Sequence, residues 1–201
     1  MSYKEDQAQI WEAKYLEDSL GWDLGGPTPI FCQISEEISP GEICIVGCGL
    51  GHDAIMFAKK GFHVTAVDFA PSAIKAVNEL ATKANVKIDT IQIDLFSMLP
   101  EYNNTFDYVI EQTCFCAIPL IQREDYAHVV QSILKPGGQL IGLWFPLDKT
   151  IEEGGPPWAT SLEEVKSLFN SGWEIEKEEW PTLSISPRKD REKLIIFKNL
   201  N

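Results

Sequence analysis

Residues 42–68 constrain this chain more than any other stretch. Glu42-Ile43-Cys44-Ile45-Val46 is a short apolar run, and Gly47-Cys48-Gly49-Leu50-Gly51 follows it at once. An apolar run of this length that ends in glycine reads as a strand buried on both faces. Residues 53–60 then read as a helix, with Gly61 where a C-terminal cap belongs. Residues 62–67 form the next apolar run, and Asp68 ends it. Strand, glycine turn, helix and strand in this order argue for a parallel α/β sheet.

The turn also has a chemistry. Glycines let the backbone pass close to a ligand, and a helix N-terminus offers free N–H groups and positive potential. A carboxylate about 20 residues on, at the end of the second strand, can accept the hydroxyls of a ribose. Two details choose among nucleotide-type cofactors. The dinucleotide fingerprint needs its third glycine where His52 stands, and no lysine follows to make a phosphate-binding loop. A cofactor without a pyrophosphate fits better, and S-adenosylmethionine, with its ribose, adenine and amino acid, is the candidate. The plainer alternative is a tight turn followed by a surface aspartate.

The alternation continues. Residues 71–84 repeat apolar side chains at helical spacing, with Pro71 suited to the first turn. Residues 86–93 and 106–110 read as strands, 122–134 as a helix stopped by Lys135-Pro136-Gly137-Gly138, and 139–145 as a strand. Ser161-Leu162-Glu163-Glu164 reads as a capping box opening a helix to about residue 170. Residues 173–180 and 193–198 close the chain as two strands without a helix between them, so they pair antiparallel. The expected fold is α/β: a doubly wound, Rossmann-like sheet, mostly parallel with an antiparallel C-terminal strand and helices on both faces. One domain is expected over residues 1–201, with an N-terminal helical lid segment over residues 1–30 and an amphipathic stretch at 4–20. Gly154-Gly155-Pro156-Pro157 reads as a loop within that domain.

In such a sheet the carboxyl ends of the strands rim the ligand crevice. Asp94 near the end of the third strand could hold an adenine amino group, with Leu95 or Phe96 against the ring. The alternative is a turn or cap residue. Glu111-Gln112 ends the fourth strand at the same rim.

Charge narrows the partners. The chain of 201 residues has 17 Lys and Arg against 30 Asp and Glu, a formal net charge of −13. Nucleic-acid binding needs a concentrated basic face, and anionic lipid needs the same. The mixed run at 188–193 reads as a solvated strand entry. The N-terminal residues are polar, and no run of about 18 apolar residues exists to cross a membrane. The five cysteines are an odd number, which suits free thiols in a reducing, cytoplasmic setting. Cys114-Phe115-Cys116 is too tight for a zinc knuckle, and no metal site is expected.

The chain resembles the class I S-adenosylmethionine-dependent methyltransferases. Within them it is similar to the thiopurine and thiol methyltransferase family, on its halide and thiol methyltransferase side. The resemblance spans nearly the whole chain. It rests on Trp11-Glu12-Ala13-Lys14-Tyr15, Gly21-Trp22-Asp23-Leu24-Gly25-Gly26-Pro27-Thr28-Pro29 and Val46-Gly47-Cys48-Gly49-Leu50-Gly51-His52-Asp53. It rests equally on Val67-Asp68-Phe69-Ala70 and Glu111-Gln112-Thr113-Cys114-Phe115-Cys116-Ala117-Ile118. It implies S-adenosylmethionine contacts at the aromatic positions Trp11, Tyr15 and Trp22 and at the glycine turn, Gly47 and Gly49. It further implies a ribose acid at Asp68, adenine-side contacts at Asp94 and Leu95, and a rim contact at Gln112. The middle aromatic is often Trp in the family and is Tyr15 here. Thiopurine-type members carry an Arg near the Gln112 position, and its absence argues against a thiopurine preference.

Methyl transfer from a sulfonium discharges a cation, so aromatic faces and an apolar enclosure suit it. Trp11 and Tyr15 are four apart, on one helical face. They are either a lid over the cofactor or the stripe that docks the helix, and the resemblance implies the lid. A soft nucleophile needs little general base, and proximity and orientation suffice. No catalytic side chain is expected; His52, His63 and His128 read as structural. Phe115, Trp144 and Trp158, with Phe145, are candidates for a substrate wall or for ordinary core, and Cys114 and Cys116 for thiols lining it. The expected activity is methyl transfer to a small-molecule acceptor: a thiol, hydrosulfide, or halide or thiocyanate. The alternatives are tellurite or selenite, an aromatic thiol, a nicotinamide-dependent oxidoreductase, or a cofactor-binding protein without catalysis.

Overall fold

The computed structural model describes residues 3–17 and 20–201, with side chains from residue 7 onward in the first helix. Residues 1, 2, 18 and 19, at the ends of the expected N-terminal segment, lie outside the described residues. The chain clusters into two compact units, Met1–Ser97 and Met98–Asn201.

In the first unit, α1 (Tyr3–Leu16) and α2 (Pro29–Glu37) precede β1 (Glu42–Val46), α3 (His52–Lys59), β2 (His63–Asp68), α4 (Pro71–Ala84) and β3 (Asp89–Gln92). β2 pairs parallel with β1 on one side and β3 on the other. Ile43, Cys44, Val46, Val64, Ala66 and Val67 are buried, as an apolar central layer requires. Phe31, Ile34, Ala54, Phe57 and Val77 on the helices are buried as well. Val46 sits opposite Val67, so Gly47 and Asp68 leave the sheet side by side.

The second unit contains β4 (Phe106–Gln112), α5 (Arg123–Ile133), β5 (Leu134–Trp144), α6 (Leu162–Leu168), β6 (Trp173–Glu179) and β7 (Lys193–Asn199). β4 pairs parallel with β5, whereas β7 lies between β5 and β6 and runs antiparallel to both. The antiparallel C-terminal strand is therefore as expected.

Several boundaries differ, each for a local reason. β3 is shorter than 86–93, because the exit of α4 continues through left-handed Asn85 and the Val86 N–H bonds back to Ala81. β5 is longer than 139–145: Phe106 faces Leu134 and Tyr108 faces Gln139, so a bulge absorbs Lys135-Pro136-Gly137-Gly138 into the strand. The capping box at Ser161 is half formed. Its hydroxyl accepts the Glu164 N–H at 3.1 Å, but the Glu164 carboxylate reaches Arg123 at 2.5 Å instead. A complete box occurs at Thr150 and Glu153. The run at 188–193 is not simply solvated, since Arg188 and Glu192 are buried. The helix α1 forms, but its apolar residues spread around it, and Ile10 and Leu16 face solvent. The amphipathic expectation at 4–20 is corrected accordingly.

Candidate functional site

In the first unit the glycine turn joins β1 to α3. Gly49 has φ +56° and its N–H donates to Asp68 Oδ2 at 3.1 Å. Asp68 Oδ1 accepts the Ala70 N–H at 2.9 Å. The carboxylate is therefore fixed between the glycine turn and the entry to α4. Burial raises its pKa to about 6; these amides pull it back down and the charge of Glu12 adds to the rise. A carboxylate has about four lone-pair positions, so acceptor capacity for a hydroxyl ligand remains.

Gly51 serves packing. It has φ +83°, and a Cβ there would lie 2.6 Å from Val77 of α4. The turn is thus held open on one side by conformation and closed on the other by a helix–helix approach.

The three N-terminal aromatics converge. Trp22 meets Trp11 edge-on at 5.1 Å between ring centres and Tyr15 edge-on at 5.5 Å. A Cβ on Gly49 would lie 3.6 Å from Tyr15 Oη and 3.9 Å from Trp22 Nε1. The cluster therefore lies against the turn, and such aromatic pairs contribute about 0.5–1.5 kcal/mol each. The segment carrying Trp22 is tied down by Asp23, whose Oδ1 is 3.3 Å from His52 Nε2. Asp53 accepts both the Thr28 N–H at 2.7 Å and the Thr28 hydroxyl at 2.9 Å. The sequence reading missed these anchors, although an acid in the first turn of a helix is the signal for them. It also missed Glu12 as more than a motif residue: its carboxylate accepts the Ser72 N–H at 3.0 Å and hydroxyl at 2.6 Å.

Asp94 lies two residues beyond β3, and its Oδ1 accepts the Phe96 N–H at 3.1 Å. The turn role weighed for it is thus real. Leu95 beside it is buried. A surface depression along α4, lined by Ile74, Lys75, Asn78 and Thr82 among others, includes none of the predicted residues. It gathers no convergent polar set of the kind a cofactor needs.

In the second unit Gln112 ends β4, half-buried and opposite Leu143. Its neighbour Glu111 is buried and organises the turn that leaves the strand. Glu111 Oε1 accepts the N–H groups of Cys114 at 3.0 Å and Phe115 at 2.9 Å, and Oε2 accepts the Tyr126 hydroxyl at 2.5 Å. Burial raises its pKa to about 7 against these hydrogen bonds and the nearby Arg123. Thr113, at φ +57°, starts the turn so held.

Phe115 and Trp144 are buried, meeting edge-on at 5.2 Å, with Tyr126 against Phe115 and Phe169 against Trp144. The Arg123 guanidinium lies 4.2 Å over the Phe115 ring. Both rings belong to the core of this unit. Trp158 is half-buried, and its N–H donates to the Cys116 carbonyl at 2.7 Å, which ties its loop to the turn. Phe145 is half-buried under the Arg188 and Arg191 guanidiniums, at 5.4 and 5.1 Å.

All five cysteines are free. Burial pushes the Cys116 thiol up to about 12 and raises Cys44 and Cys48 as well, which favours the protonated thiol at each. His63 and His128 are exposed. Among the described residues no group of three His, Cys, Asp or Glu could hold a metal, and no helix is long and apolar enough to cross a membrane.

The residues present fit S-adenosylmethionine. A buried acid stands beside a glycine turn, and an aromatic cluster closes on that turn. The model of the thiopurine S-methyltransferase family matches residues 6–198. A probable thiol methyltransferase 2 of Arabidopsis thaliana is 33% identical over 96% of this chain and 86% of its own length. A thiocyanate methyltransferase 1 of Brassica oleracea is 31% identical over 95% of this chain and 85% of its own length. Among solved structures, an N-methyltransferase from Bradyrhizobium japonicum in complex with S-adenosylhomocysteine has TM-score 0.76 at 16% identity, covering 97% of this chain and 99% of that one. The fold is thus the α/β methyltransferase fold.

Proposed function

The chain belongs to the thiopurine S-methyltransferase family and is an S-adenosylmethionine-dependent methyltransferase, and on that ground we propose that its acceptor is a small thiol, hydrosulfide, halide or thiocyanate. The observation that carries this reading is the enclosure of the glycine turn by Trp11, Tyr15 and Trp22, beside buried Asp68. When bound, the cofactor supplies an electrophilic methyl on a cationic sulfur.

This chain's residues divide the tasks in that reading. Asp68 accepts the ribose hydroxyls, and Gly47 and Gly49 let the backbone approach. Asp94 and Leu95 flank the adenine side, and Gln112 contacts the rim. Trp11, Tyr15 and Trp22 exclude water and favour a cation at their faces. Phe115 and Trp144 support the acceptor wall from the core, and Trp158 faces the acceptor. No side chain acts as general base. Glu111, with its pKa near neutrality, is buried and bound by two amides and a phenol, and it holds the turn instead. A soft anion or thiolate then needs only orientation.

The two relatives' names point to sulfur acceptors, thiols for one and thiocyanate for the other. The missing Arg at Gln112 supports these over a thiopurine. The same reading takes residues 1–201 as one methyltransferase domain, cytoplasmic and without nucleic-acid partners. A panel of hydrosulfide, small thiols, iodide, thiocyanate and an aromatic thiol, scored by S-adenosylhomocysteine released, tests it. Turnover with the first four groups and little with the aromatic thiol is expected; the reverse order overturns the acceptor class.

A further inference from the structure

We propose that Glu12 is a positioning residue for the reaction: by capping the N-terminus of α4 it latches α1, and with it Trp11 and Tyr15, over the cofactor site. The proposal rests on the functional reading above, and it concerns how the aromatic enclosure is held shut.

A helix needs acceptors for its first N–H groups. The N-cap residue of α4 is Ala70, which has no side-chain acceptor, and no local cap hydrogen bond forms. Glu12 supplies what is missing from 60 residues away, with one oxygen on the Ser72 N–H and the other on the Ser72 hydroxyl. A carboxylate at that position also meets the positive end of the helix. The interaction is therefore among the stronger kinds, charge-assisted and two-pronged.

Apolar packing does not by itself settle where α1 lies. Its apolar residues do not form one buried face, and Ile10 and Leu16 are exposed. Trp11 and Tyr15 of α1 meet Trp22 edge-on, and Glu12 ties α1 to the first turn of α4. Glu12 sits next to Trp11 and three residues before Tyr15, so its bond to Ser72 sets where both rings lie. Ser72 in turn comes just after Asp68 and Ala70, the segment that fixes the proposed ribose acid. One carboxylate thereby registers the enclosure against the acid it encloses. A ligand enclosed in this way leaves only when α1 lifts, so the latch governs exchange.

Stopped-flow binding of S-adenosylhomocysteine to the full chain, followed by tryptophan fluorescence, reads this directly. The wild-type chain binds it; failure there overturns the functional reading and not the latch. Glu12→Ala is expected to speed dissociation at least tenfold and to raise KM for S-adenosylmethionine with a smaller change in kcat. Glu12→Gln keeps one acceptor of the same reach without the charge and restores part of the residence time. Ser72→Ala speeds release severalfold, and adding it to Glu12→Ala brings no further acceleration. Wild-type dissociation in folded Glu12→Ala, or in Ser72→Ala should Glu12→Ala not fold, overturns the latch. So do fully multiplicative effects in the double variant.

Discussion

At Asp68 one carboxylate satisfies two backbone amides and keeps capacity for a ligand. Removing it takes away acceptors for a bound hydroxyl. Asp68→Ala should weaken S-adenosylhomocysteine binding by roughly 1–3 kcal/mol, measurable by calorimetry. Its pKa, raised by burial to about 6, sets a second expectation. Ribose hydroxyls need the ionised form, so affinity stays level above about pH 7 and falls toward tenfold per unit below about pH 6. Asp68→Asn should flatten that limb. Gly51 behaves differently. A side chain there meets left-handed strain and Val77 at 2.6 Å, so Gly51→Ala should lower stability by roughly 2–4 kcal/mol in urea unfolding.

Among the elements, α1 and the turn after β4 each carry a prediction that goes beyond packing. Trp11 contributes its ring to the cluster on the glycine turn while remaining half-buried. Trp11→Ala should therefore cut methyl transfer by a larger factor than it cuts thermal stability. Equal activity in the folded variant would make Trp11 a docking residue only. The turn after β4 depends on Glu111, whose pKa burial raises from 4.5 to about 7. Between those values the folded chain holds a proton that the unfolded chain has lost. Stability from this group is therefore highest below about pH 4.5 and declines as pH rises to about 7. Glu111→Gln should flatten that decline in a series of unfolding curves across this window, with the turn kept by the amide oxygen.

For the whole molecule the net charge of −13 matters most for what approaches it. A negative field slows an anion and salt screens that field. The KM of thiocyanate or iodide should fall as ionic strength rises from low salt, while that of a neutral thiol should hardly move. The charge is thus a property of solubility and encounter, and it does not select the acceptor.

Much is legible in the chain alone because it is local. The alternation of apolar runs and helical periods places the seven described strands, and the glycine turn with Asp68 marks the proposed cofactor side of the first unit. Trp11, Tyr15 and Trp22 are identified as a set by resemblance. The features that escape have partners distant in sequence. Residues 188–193 look solvated in the chain, yet Arg188 and Glu192 are buried. Glu164 promises a capping box and turns to Arg123, 41 residues before it. Phe115 and Trp144 meet edge-on inside a core, against Tyr126 and Phe169, partners that no local pattern names. Glu12 gives no sign in its own helix that it caps another one. Strand succession and the chemistry of the turn are thus written in the amino acids themselves, because hydrophobic period and backbone freedom act over a few residues. The partner of each buried charge is settled by folding, because desolvation forces a carboxylate or guanidinium onto whatever donor or acceptor packing brings within reach.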